Sequence, residues 1–557
     1  MFVIGFAGWL GLCLYAANLL DSNRAYAAIL CGYTVAQVAV PQIDSPQNIF
    51  SAGINRGAAI VLGIAALVLV SDVFAAPNVH TGLTGKLTAA HQRVRAFALA
   101  IVRGERADPI RSANLLREIT ALHPDITALA AESSDGGARG AAAESAAVAL
   151  VAEVSAARAL SPLPGKTLPS LRRELGEALA GTLGEESLAL RLRLQRQADV
   201  SYADPNNALF GRHGVDLLIE NRRAQDAIQD LKEGRSPPRR IQAPIYRSQR
   251  AAVRNGLRGC LAVLICAILL SLGGWPFASQ GLAVAGSIVT LSAINPNLRA
   301  FAASAVIAMV IAALLAGVTE FLILDGVDQF PLLAIGMAPS ILFAALLSTK
   351  QGFLVLVFVP VILSPANPQS YNPETYLYAS LMAITAAILL FVPLRNVLPT
   401  SDALKRRWFL TSARAEIRDL FAGVASWRLD DEALFRDADR IGQLAAVRPA
   451  DGDERRDDVR EVLDIFGCAA AVRRVRTTLA ELSARTGGCL VERACLALAA
   501  GDARGLRRAA ADLASTATEL DDDAQAAVRA ASLDLTWVAV LIDVSHFGLD
   551  PQRWTTS

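Results

Sequence analysis

Charge of either sign is scarce in this 557-residue chain: Asp, Glu, Lys and Arg make up 19%, and 53 basic residues nearly cancel 52 acidic ones. A soluble enzyme of this size carries more charge. Without a basic surplus the chain is no nucleic-acid binder held by net charge. With 53% hydrophobic residues and a mean hydropathy of +0.38, it is no long disordered chain either. Histidine is also rare, and His80, His91, His123, His213 and His546 are scattered. The seven cysteines (Cys13, Cys31, Cys260, Cys266, Cys468, Cys489, Cys495) are odd in number, and no pair has zinc-ligand spacing. They read as small buried hydrophobes in a reducing setting. No HExxH, GxSxG, Walker A or strand-borne GxGxxG pattern is present, so neither a catalytic constellation nor a metal or other cofactor is expected.

What charge there is lies in two blocks. Residues 1–76 are apolar: Phe2–Leu20 and Ala25–Ile43 hold no charged residue, and Ile54–Phe74 holds only Arg56 and Asp72. Each run approaches the ~20 residues a helix needs to span hydrocarbon. Residues 77–250 are rich in Arg, Glu, Ala and Leu at helical spacing and close on a basic, proline-containing linker, Arg235–Arg250. Residues 251–398 are apolar again, with six runs at about 255–273, 279–294, 299–323, 329–347, 351–364 and 374–394. Residues 399–557 return to charged helical sequence, opening with Lys405-Arg406-Arg407-Trp408. The pattern predicts an all-α polytopic membrane protein. Its two transmembrane bundles, of three helices and then six, alternate with two α-helical domains.

Basic residues set the orientation. With Arg247, Arg250, Arg254 and Arg258 before the six-run block on the cytoplasmic side, Arg299, Lys350 and Arg395–Arg407 all fall on that same side. Both charged domains are then cytoplasmic. The first block must also end inside, which places its N-terminus outside. An internal repeat, Pro41-x-Ile43-x-Ser45-Pro46 against Pro360-x-Ile362-x-Ser364-Pro365, aligns Met1 with the interior of the third run of the second half. The expectation is that the first half lacks opening helices.

Several local motifs, in order along nearly the whole chain, resemble the fusaric acid resistance, or aromatic acid exporter, family. Arg24-Ala25-Tyr26 followed by Gly32-Tyr33-Thr34 is similar to one helix of that family, and Phe50…Arg56-Gly57-Ala58-Ala59-Ile60-Val61-Leu62-Gly63-Ile64 to the next. Arg254-Asn255-Gly256-Leu257-Arg258 with Gly274-Trp275-Pro276 resembles the opening of its second half. Phe330–Ala334 and Asn367–Tyr371 fit later loops, while Ala59 stands where the family usually has Glu. The resemblance implies an inner-membrane exporter of aromatic carboxylic acids, proton-driven. It also implies a periplasmic membrane-fusion adaptor as partner and an outer-membrane channel beyond it. An anion channel, or a truncated protein without transport, stands as the alternative.

A path for an aromatic acid needs ring-stacking walls, donors and a positive field. Tyr26, Leu30, Tyr33 and Gln37 share one helical face. The tyrosines either stack on substrate or pack between helices. Arg56 either recognises an anion or snorkels to headgroups. Arg254 and Arg258 either gather anions at the cytoplasmic mouth or anchor the helix. Glu320 and Asp72 are the candidates for proton coupling, against a reading as helix-end acids. The short second and fifth runs, with Gly281, Gly286, Gly352 and Pro360 in or beside them, mark candidate helix breaks, and Tyr26–Pro41 is the first-half counterpart of Gly352–Pro360 at a pseudo-symmetric substrate site, although Pro360 equally suits a packing kink. The Arg/Glu-rich helices of the charged domains suit scaffolding or pairing with a second copy of the chain, and Arg235, Arg239, Arg240, Lys405, Arg406 and Arg407 suit contact with anionic lipid.

Overall fold

A computed structural model describes residues 1–74, 79–130, 136–164, 167–181, 186–200, 204–295, 297–324, 329–347, 349–364, 371–424, 430–447, 452–486, 489–516 and 522–545. Among them there is no strand. The chain opens with α1 (Phe2–Leu19), α2 (Ser22–Ala39) and α3 (Ile49–Phe74). Next come α4 (Val79–Val102), α5 (Pro109–Thr120), α6 (His123–Ala130), α7 (Gly136–Ala159), α8 (Pro169–Ala180), α9 (Glu186–Val200) and α10 (Pro205–Glu233). Six apolar helices follow: α11 (Gln249–Leu272), α12 (Ala278–Leu291), α13 (Leu298–Val318), α14 (Phe330–Leu346), α15 (Thr349–Leu363) and α16 (Pro373–Asn396). The last are α17 (Asp402–Ala422), α18 (Asp430–Ala446), α19 (Gly452–Thr486), α20 (Cys489–Ala500), α21 (Ala503–Thr516) and α22 (Asp522–Val544).

Four alternating stretches of sequence gather into two compact units. Met1–Ala76 joins Arg247–Thr400 in an apolar unit, and Pro77–Tyr246 joins Ser401–Ser557 in a charged unit. Side-chain caps fix where helices start. Ser248 accepts from the Ala251 N–H at the head of α11, Asn297 from Ala300 at α13, Asn372 from Glu374 at α16 and Ser401 from Leu404 at α17.

Within the apolar unit the usual arrangement of size is inverted. On α13 the buried positions are mostly alanine (Ala302, Ala305, Ala308, Ala312, Ala316), while Ile307, Leu314 and Val318 stand exposed. In a bilayer, large apolar side chains lose nothing by facing lipid, and small ones let backbones approach. α1 crosses α11 in this way: a Cβ on Gly11 would meet the Gly256 carbonyl oxygen at 2.9 Å, and one on Gly256 would meet the Gly11 oxygen at 2.7 Å. α2 packs on α1 and α12, α12 also on α11 and α16, and α13 on α15 and α16. Every residue of α12 from Gly281 to Leu291 is buried, which makes this short helix the centre of its unit.

Six helices among the described residues are long and apolar enough to cross a membrane. Five belong to the apolar unit, which also has three shorter apolar helices, and the chain is a multi-pass membrane protein. The sixth, Gly136–Ala159, is α7. Within the charged unit 78% of its apolar window is buried by protein, so its alanines serve a helix-packing core with α4, α10 and α6. In the same unit Tyr246 anchors the end of the basic linker: Asp439 accepts its N–H at 2.9 Å and its carbonyl accepts from Gln443 at 3.0 Å. Arg406 is buried against Glu454 (2.8 Å) and Asp458 (3.5 Å).

Candidate functional site

The face of α2 divides in the structure. Tyr26 is half exposed, whereas Tyr33 lies beneath Arg56 of α3, whose guanidinium carbon is 5.6 Å from the ring centroid. One turn further, the Gln37 side-chain amide donates to Ser287 Oγ of α12 at 2.8 Å, and Ser287 donates in turn to the Ala283 carbonyl at 2.8 Å. This link requires α2 and α12 to touch. A Cβ on Gly32 would meet Thr290 Cγ2 at 2.5 Å, and one on Gly286 would meet Ala36 at 2.9 Å, so small residues set the crossing. Arg56 itself is half-buried, and its Nε is buried without a hydrogen-bond partner. A cation–π stack leaves the in-plane N–H groups of a guanidinium free for an anion. The elements thus bring together an aromatic face, a cation with spare donors and an amide one turn away.

Arg254 and Arg258 are engaged elsewhere in the apolar unit. Arg254 donates to the carbonyls of Leu398 (3.2 Å) and Pro399 (3.0 Å). Arg258 is buried and donates to the carbonyls of Val397 (3.1 Å) and Leu398 and to the Thr400 hydroxyl. These carbonyls follow the last residue of α16, where Leu398 adopts a positive φ of 46°. The two arginines therefore cap a helix end that has no glycine to do so.

Glu320 is buried in a π-helical turn, Thr319–Ile323, that continues α13. Beside it the hydroxyls of Thr319 and Ser340 (α14) pair at 2.7 Å. Tyr376 of α16 donates to the Ala313 carbonyl and sets its ring edge-on to Phe321 at 5.2 Å. An acid among hydroxyls, on a helix segment with one extra residue per turn, is a place where a proton can be held inside apolar surroundings.

The helix-break candidates fall in three settings. Pro41 lies in the turn after α2. Pro360 stays inside α15, and its carbonyl accepts from the Ser364 N–H at 3.0 Å. Gly352 is a packing position, since a Cβ there would run into the Ala344 carbonyl oxygen of α14. Asp72 belongs to α3, but its side chain, like that of Lys350, lies outside the described residues, as do Asp325, Asp328, Pro365, Asn367–Ser370 and His546. Ser287, Thr319 and Ser340 are the polar residues that sequence patterning passes over. The available signal for Ser287 is Gly286 and Thr290 at small-xxx-small spacing around it.

A family model described as the fusaric acid resistance protein family matches residues 1–552. The p-hydroxybenzoic acid efflux pump subunit AaeB of Edwardsiella ictaluri (strain 93-146) is 25% identical over 459 residues, which cover 79% of this chain and 68% of that protein. The uncharacterized transporter YdhK of Escherichia coli O157:H7 is 23% identical over 447 residues, 75% of this chain and 65% of its own length. The AaeB subunit of Erwinia billingiae (strain Eb661) is 21% identical over 436 residues, 75% of this chain and 66% of its own. The chain therefore spans about two thirds of the length of these curated relatives. No solved structure matches.

Proposed function

The chain belongs to the fusaric acid resistance protein family, and on that premise we propose that it is a membrane efflux transporter for aromatic carboxylic acids or related small organic anions. The observation that carries this reading is Arg56, held over the Tyr33 ring with Nε unpaired, next to the Gln37–Ser287 bond. The substrate ring would stack on tyrosine, and its carboxylate would take the spare guanidinium donors. The names of two relatives, p-hydroxybenzoic acid efflux pump subunits, point to the same substrate chemistry.

Export is driven by protons in this proposal, with Glu320 as carrier and Asp72 as the second candidate. Arg254 and Arg258 act as helix caps rather than as part of the path. The location is the inner membrane with the charged unit in the cytoplasm, and a periplasmic adaptor with an outer-membrane channel completes the route. The test is export from cells preloaded with p-hydroxybenzoate. Cells expressing the chain should clear it faster than cells with an empty vector, and Arg56→Gln should return them to that background. Clearance unchanged by the chain, or undiminished by Arg56→Gln, contradicts the reading.

A further inference from the structure

The charged unit contains a cleft that transport through the apolar unit does not use. Helices α7, α10, α19 and α22, with the start of α18, enclose about 390 Å³, within the range of sites for small organic ligands. Part of its wall is apolar, formed by Phe466 of α19, Trp537 and Leu541 of α22 and the alanines of α7. Its polar lining is unbalanced: seven carboxylates stand against three guanidiniums.

Those guanidiniums are already taken. Arg474 reaches Asp216 at 2.5 Å, Arg473 reaches Asp437 at 2.7 Å and Glu416 at 2.9 Å, and Arg158 donates to Ser112 Oγ at 2.9 Å. Arg212, 3.8 Å from Asp534, and Arg223, 3.1 Å from Asp431, add two charges from outside the lining, which Asp437 and Glu416 offset. The surplus stays negative. Burial, reinforced by neighbouring acids, raises the carboxyls of Glu220 and Asp534 in spite of the arginines beside them.

An independent observation comes from His213. It is 4% exposed, its ring lies 4.5 Å from that of Trp537, and its Nδ1 is 3.6 Å from Asp216 Oδ2. Burial works against ionisation of Asp216, but Arg474 and then His213 bring its carboxyl well below the usual range. Burial also lowers the imidazole, which is therefore neutral at pH 7. With the Nδ1 proton toward Asp216, Nε2 presents a lone pair, and this nitrogen is buried without a partner. A buried acceptor of that kind calls for a donor.

We propose that this cleft binds a small organic ammonium ion with an aromatic or aliphatic body. Its N–H groups donate to His213 Nε2 and the Asp534 carboxylate, and its body lies along Trp537 and Leu541. The indole adds a cation–π contact, and the acidic surplus rejects carboxylates. The site is thus opposite in charge preference to the proposed transport path and stands independently of it.

The test is calorimetric titration of the full chain in detergent with 2-phenylethylammonium, and with phenylacetate as the probe of opposite charge. The ammonium should bind saturably and phenylacetate should not. Asp534→Asn should weaken the ammonium at least about tenfold. Because Asp534 is buried, the exposed pair Asp430→Asn and Glu481→Gln provides a second variant. It should weaken binding severalfold at low salt and less at high salt. Absence of saturable ammonium binding, equal binding of phenylacetate, or affinity unchanged in both variants overturns the proposal.

Discussion

A guanidinium within an apolar helix costs about 3 kcal/mol or more unless its surroundings offset it, and at Arg56 the Tyr33 ring supplies such an offset. The same stack leaves donors for a carboxylate, which makes this residue the most informative one to change. Arg56→Lys keeps the charge but loses the flat, forked donor set. It should retain partial p-hydroxybenzoate export, whereas Arg56→Gln loses it, both read as initial rates from preloaded cells. Arg258 carries a different expectation. Its removal leaves the Val397 carbonyl without that donor and the Leu398 carbonyl with Arg254 alone, so Arg258→Ala should destabilise the apolar unit by about 1–3 kcal/mol. A lowered melting temperature of the purified protein in detergent checks this, and a rescue by Arg258→Lys would show that charge alone suffices.

At the scale of elements, the crossing of α2 and α12 depends on side chains that are not there. Gly32→Leu would place atoms where Thr290 Cγ2 now sits, forcing the helices apart and breaking the Gln37–Ser287 bond. It should reduce export as strongly as Arg56→Gln while leaving the protein in the membrane, read by transport rate beside immunodetection in membranes. α7 offers a contrasting case, because it buries Glu153 with both carboxylate oxygens lacking a hydrogen bond. Burial pushes this carboxyl from 4.5 up to about 8, with Arg95 lowering it and Glu220 raising it. His91 stands 3.6 Å away but is itself lowered by burial, and Nε2 is shared with Asn221 at 2.9 Å. Between pH 4.5 and about 8 the folded unit keeps a proton that the unfolded chain has released. The contribution of Glu153 is therefore complete below the lower value and lost as pH rises through the upper. Glu153→Gln should raise the unfolding temperature more at pH 8 than at pH 5, measured by calorimetry.

The contrast between α7 and α12 also shows what the sequence makes legible. Runs of uncharged residues announce helices α1, α3, α11, α13 and α16 because hydrocarbon length is a sequence-level constraint. α7 meets the same hydropathy criterion, and only its neighbours reveal that protein, not lipid, covers it. Tyr33 and Gln37 stand out by spacing, whereas a single Ser287 in an apolar run has no period to betray it. Its pairing with Gln37, 250 residues away in sequence, depends on Gly32 lying against Thr290 and Gly286 against Ala36. Arg254 and Arg258 read equally as mouth or anchor until the carbonyls after α16 come into view.

For the whole molecule, two units assembled from four alternating stretches mean that neither unit is closed by a continuous piece of chain. In the proposed orientation every basic loop residue falls on the cytoplasmic side. A single cysteine at Glu105 or at Glu481, in a chain otherwise free of cysteine, should therefore resist membrane-impermeant thiol reagents in intact cells and react after permeabilisation. The central claim concerns the apolar unit, which should move organic anions outward by way of Arg56 at the expense of a proton gradient. Inverted membrane vesicles test it most directly, through accumulation of labelled p-hydroxybenzoate against its own gradient after acidification of the lumen. The account predicts uphill accumulation that a protonophore collapses and that Arg56→Gln lacks. Equilibration without accumulation, or accumulation indifferent to Arg56, would contradict it.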